Sequence, residues 1–155
     1  MSKLKESINA IELSMVKIKL QDTEEGKGWS QDYANQIEQE YKRFLYLLAV
    51  DIDAVPTKDI DAMWHQHILD TRAYAADCQR VFGSFVHHFP YLGMRGPEDK
   101  KLLEEKFAAT CAAYLIHFGT PYGTDDSCCK YCDSGRCSGA GCIGSCSRRI
   151  EEAQL

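Results

Sequence analysis

The chain reads as an all-α protein: about five helices in a compact bundle, followed by an irregular Cys/Gly-rich appendage. Three observations predict this. Apolar residues recur at spacings of three and four over most of the first 118 positions, the period of a helix face. Residues that start and stop helices stand at the ends of those runs: Ser30, Thr57 and Pro97 at starts, Gly83 and Gly119 at stops. The pattern then ceases, because residues 119–147 hold six glycines and six cysteines and almost nothing that forms a core. The division drawn is a helical domain over 1–118 and a Cys/Gly-rich tail over 119–155.

Leu4, Ile8, Ile11, Met15 and Ile18 predict one amphipathic first helix, although Val16–Leu20 also alternates like a strand. Thr23–Gly28 is a polar turn. Ser30 caps the second helix, with Trp29 before it as a staple, and Tyr33, Ile37, Tyr41, Phe44 and Leu48 mark its buried face up to about Val50. Pro56 pushes Val55 out of helical geometry, so 51–56 is a loop. Thr57 caps a third helix. Asp70-Thr71 breaks it, since both side chains compete for backbone hydrogens, and a fourth helix runs from about Thr71 to Phe82. His87–Arg95 is a loop. Pro97, Glu98 and Asp99 suit the first turn of a fifth helix, with Leu103, Phe107, Cys111, Tyr114 and Phe118 as its buried stripe. Cys111 there acts as a small apolar side chain.

With 155 residues the chain is long enough for one real core. A net charge of −5 and a pI near 5.5 give no electrostatic case for nucleic-acid binding. No window approaches the ~18 apolar residues that span a bilayer, and the N-terminal residues carry too many charges for a secretory signal. The expectation is a cytoplasmic protein without a membrane partner, whose cysteines are thiols or metal ligands rather than stable disulfides.

Four of the five histidines fall in two short segments, Asp61-Ala-Met-Trp64-His65-Gln-His67 and His87-His88. Asp61 and His65 are one helical turn apart and share a face. A carboxylate there can hold one ring nitrogen of His65 and free the other for a metal or for acid–base work. His65 and His67 lie roughly 200° apart around a helix, so both can reach one ion only if the helix ends or distorts. His87 or His88 would close such a site from the loop. Tyr74 and Cys78 are candidate pocket residues, Cys78 as a soft ligand or reactive thiol. The structural alternative is a stabilising Asp61–His65 pair, a hydrogen-bonded core His67, and loop histidines that satisfy carbonyls. Trp64 and Tyr74 read as packing residues, with the Tyr74 hydroxyl seeking a partner. The spacing matches no zinc-protease or zinc-finger pattern.

Cys128, Cys129, Cys132, Cys137, Cys142 and Cys146 form the second constellation. Two residues between Cys129 and Cys132 let both sulfurs face one ion, and six thiolates exceed the four that one tetrahedral zinc needs. Reduced thiols without metal, or two or three disulfides, remain the alternatives.

The run Val55-Pro56, Asp61, Trp64-His65-Gln66-His67, Tyr74, Asp77-Cys78, Gly83 and His88 resembles the glycine-rich domain-containing protein-like family. The likeness covers residues 55–93. Tyr41-x-x-Phe44-Leu45 and Leu92-Gly-Met-Arg-Gly96 look like its bacterial branch. Plant members often carry proline where Thr71 stands, which fits a helix break there. A short Gly/Cys stretch replaces the family's long glycine-rich region. The resemblance implies a helical domain and brings no reaction with it; by position, its candidate functional set is Asp61, His65, His67, Tyr74 and His88.

These signals point to a metal-binding helical protein with a His-centred site and a thiolate-rich tail, serving metal handling. The metal set is Asp61, His65, His67, His88 and the six tail cysteines, with zinc first and copper or iron as the other ions. Two alternatives stay open. One is a small metal- or His-dependent enzyme. The other is a non-catalytic interaction module whose tail is disulfide-bonded or redox-active and contacts another protein.

Overall fold

The computed structural model describes residues 2–123. Among them the fold is all-α, with six helices and no strand: α1 (Lys3–Asn9), α2 (Ser14–Gln21), α3 (Gln31–Ala49), α4 (Lys58–Leu69), α5 (Thr71–Phe82) and α6 (Pro97–Phe118). None is long and apolar enough to cross a membrane. The tail cysteines lie outside the described residues.

The expected first helix is two. Ala10 closes α1 through its N–H to Glu6, and the Glu12 carboxylate accepts the Ser14 N–H at 2.9 Å to open α2. The break between them resets the helical phase. Ile8, Ile11, Leu13, Val16 and Leu20 are therefore buried, whereas Met15 (71% exposed) and Ile18 (59%) face water. In α3, Ser30 Oγ accepts the Tyr33 N–H at 3.2 Å, and Trp29 packs edge-on against the Tyr33 ring. The buried face runs through Ala34, Ile37, Tyr41, Phe44, Leu45 and Leu47, with Leu48 and Tyr33 only half-buried.

Thr57 Oγ1 accepts the Ile60 N–H at 3.3 Å and starts α4. Asp70 both ends α4 and caps α5, its carboxylate accepting the Ala73 N–H at 3.4 Å. Gly83, at φ 73°, stops α5 in the left-handed conformation that glycine adopts without strain.

The chain separates into two compact units. The first holds α1 to α5, from residues up to Asp51 and from Pro56–Phe89. In it α4 packs on α2, α3 and α5. The second comprises Ile52–Val55 and the residues from Pro90 onward. There the Val55 N–H donates to Thr110 Oγ1 at 2.9 Å, and the Tyr122 hydroxyl donates to the Val55 carbonyl at 3.0 Å. Phe107, Thr110, Cys111 and Tyr114 form the buried stripe of α6, with Leu103 and Phe118 half-buried at its ends. Cys111 is buried, as expected. Asp99 accepts the backbone N–H groups of Gly93 and Arg95, at 2.7 and 3.1 Å. The Arg95 guanidinium, with those bonds, holds its carboxyl at about 2. The φ of 87° at Gly93 favours glycine, and a Cβ there would push the Leu103 side-chain tip, 2.6 Å away, aside.

Candidate functional site

The site grows from the two faces of α4. Ile60, Met63, Trp64 and His67 turn into the first unit, while Asp61 and His65 lie one turn apart on the outer face. Trp64 anchors the inner face. Its ring packs 5.1 Å from Phe44 and 4.3 Å from the His88 imidazole (centroid distances), and its Nε1–H donates to the Tyr74 hydroxyl at 3.0 Å. That hydroxyl donates in turn to the Val86 carbonyl at 2.7 Å. The chain Trp64–Tyr74–Val86 thus ties the loop after α5 to α4, two residues before His88. This is why His88, rather than His87, comes to lie beside His65.

Asp61, His65 and His88 converge. His65 Nε2 is 2.7 Å from His88 Nε2, His88 Nε2 is 3.2 Å from Asp61 Oδ1, and His65 Nε2 is 3.6 Å from that same oxygen. His88 Nε2 is common to the two shorter contacts, so a single hydrogen on it can be shared between His65 Nε2 and Asp61 Oδ1. The same three atoms also have the spacing of a cation site. The point in their plane equidistant from all three is about 1.9 Å from each, and a small step out of that plane reaches the 2.0–2.2 Å of zinc–nitrogen and zinc–oxygen bonds. The His65 side chain is 48% exposed and that of His88 14%. Burial lowers the His88 pKa, with the neighbouring Asp61 opposing and His65 adding to the shift, so the neutral, ligating form is favoured. The carboxylate therefore faces the same ring nitrogen that would bind an ion. It does not hold the opposite nitrogen of His65, as the sequence spacing alone suggested.

His67 does not join this group. Helix α4 stays regular to Leu69, which keeps His67 on the inner face, 2% exposed. Its Nδ1 lies 3.0 Å from the Tyr41 hydroxyl and its Nε2 3.2 Å from Asp77 Oδ2. Burial lifts the Tyr41 pKa well above its ordinary value, so that hydroxyl keeps its proton and donates it. Nε2 then carries the imidazole hydrogen and donates to Asp77, which is also paired with Arg80. Burial lowers the His67 pKa against the pull of Asp77. Tyr41–His67–Asp77–Arg80 is a satisfied internal chain. Tyr41, Asp77 and Arg80 were not singled out in this role from sequence, since ten or more positions separate His67 from each.

Cys78 is a free thiol, 2% exposed, and is not one of the three converging groups. The Tyr74 hydroxyl is committed to Trp64 and Val86, and its ring lines a groove of about 470 Å³. His65, His87 and His88 form the polar part of that groove, and Ile68, Leu69, Phe85 and Val86 its apolar wall. Sequence reasoning did not find this wall, because the loop conformation that builds it depends on the Tyr74–Val86 bond.

Fold and site together define an all-α protein in which a loop imidazole meets an imidazole and a carboxylate on the outer face of α4. The chain belongs to the UCP032817-like family, which matches residues 5–121. It is also similar to two proteins of Arabidopsis thaliana. Glycine-rich domain-containing protein 1 is 34% identical over 88 residues, covering 53% of this chain and 10% of that protein. Glycine-rich domain-containing protein 2 is 33% identical over 88 residues, covering 53% of this chain and 11% of that protein. The match thus takes in about a tenth of each relative's length. No solved structure matches the chain.

Proposed function

We propose that this protein binds a divalent transition-metal ion, zinc first, through Asp61, His65 and His88, with a coordination position left open. The observation that carries the reading is the mutual approach of three ligand atoms at 2.7, 3.2 and 3.6 Å. Two imidazoles and one carboxylate, with no sulfur, suit Zn(II) or Fe(II) better than Cu(I). Three protein ligands with a partly exposed fourth side is the arrangement of zinc sites that exchange ligands, whereas structural sites are closed by four. Copper(I) suits the six tail cysteines, which would serve metal handling or contact another protein.

The test is zinc stoichiometry on the full chain, beside His65→Ala and Asp61→Ala. Tail thiolates are common to all three proteins, so the difference isolates the histidine site. Loss of about one equivalent in each variant supports the proposal. Equal zinc content in all three contradicts it.

A further inference from the structure

We propose that the groove beside Asp61, His65 and His88 receives a small organic carboxylate with an apolar body, whose carboxylate oxygen completes the coordination of the bound ion. The inference rests on the metal reading above and names the ligand of that same site. His65 and His88 belong both to the converging cluster and to the groove wall, so a molecule in the groove lies against the ion. The remaining wall is largely apolar, and two of its side chains are left facing water: Leu69 is 72% exposed and Phe85 48%. The volume of about 470 Å³ lies within the range of small-molecule sites.

Charge selects the head group. A divalent ion against the single carboxylate of Asp61 leaves net positive charge at the open position, which attracts an anion and repels an ammonium group. Among the described residues no lysine or arginine lines the groove. Anion binding there consequently depends on the metal, and without it the Asp61 carboxylate opposes an anion. The apolar wall then selects the body. Each methylene of a straight-chain acid that is removed from water on Ile68, Leu69, Phe85 and Val86 should tighten binding about threefold to fourfold.

The experiment is calorimetric titration of acetate, butyrate, hexanoate and octanoate into the zinc-loaded full chain, the zinc-free chain, and zinc-treated His65→Ala and Leu69→Glu. The expected result is one octanoate per chain, with affinity rising along the series. Binding should vanish without zinc and in His65→Ala. Leu69→Glu, a change at an exposed position, should keep its zinc and bind octanoate about tenfold more weakly. If His65→Ala loses a zinc equivalent but octanoate binds no better than acetate, or binds equally without zinc, the carboxylate proposal is overturned and the metal site stands. If no zinc depends on His65, both are overturned.

Discussion

His65 and His67 stand two residues apart on one helix and meet opposite fates. His65 lies on the outer face beside Asp61 and His88, with its Nε2 turned towards two other ligand atoms. His67 lies on the inner face, and both of its nitrogens are used by Tyr41 and Asp77. The difference is one of hydrogen-bond completeness. The inner imidazole has one donor and one acceptor, so its tautomer is fixed and nothing more can be added. The outer group has three converging ligand atoms on a partly exposed face, and their spacing is that of a cation site. One dense motif therefore sets a histidine with both ring nitrogens satisfied beside one that points into a converging group, and helical geometry decides which is which.

The comparison can be broken by mutation. The largest effect on stability is expected for His67→Ala, which leaves a cavity and removes the partner of the Tyr41 hydroxyl and of Asp77 Oδ2. Urea unfolding should show a loss of about 3 kcal/mol, while the folded fraction keeps its zinc affinity. His65→Ala should do the reverse. Competition with a chromophoric chelator should show zinc affinity lower by about 100-fold, with stability changed by no more than about 0.5 kcal/mol. Equal stability losses in the two variants would mean that both histidines are structural. Tyr41→Phe is smaller in scale: it removes the hydrogen donated to His67 Nδ1 and should cost about 1–2 kcal/mol by urea unfolding, without altering zinc binding.

The smallest effect is on pH dependence. Burial holds the folded-state pKa of His67 below its unfolded value of about 6.5. Between the two values the unfolded chain binds more protons, so stability rises with pH there. The His67 contribution is complete above about pH 6.5 and is lost as the pH falls through the lower, folded value. Unfolding free energies measured from about pH 7.5 down to about 5 should decline less steeply in His67→Gln than in the unaltered chain. An identical slope would show that His67 does not titrate in this way.

Most of the helix plan was legible, because local chemistry sets helix ends. Ser30, Thr57, Asp70, Gly83, Pro97 and Gly119 act where the sequence placed them. The break between α1 and α2 was not, because Leu4, Ile8, Ile11, Met15 and Ile18 keep a helical period straight through it. The Glu12–Ser14 bond that restarts the helix in a new phase is a weak signal in a sequence. At the site, the shared face of Asp61 and His65 and the opposed direction of His67 follow from 3.6 residues per turn. The choice of His88 over His87, and the pairing of Tyr41 and Asp77 with His67, depend on tertiary contacts. Trp64 and Tyr74 make those contacts in the first case, and the packing of α3, α4 and α5 makes them in the second.

The most direct measurement is a zinc titration of the full chain followed through the imidazole nitrogen resonances of its histidines. As zinc is added to saturation, the Nε2 resonances of His65 and His88 should move together to metal-bound positions over one equivalent, while both nitrogens of His67 stay where they were. Movement of His67, or saturation with zinc that leaves His65 and His88 unchanged, would contradict the assignment of the two faces of α4.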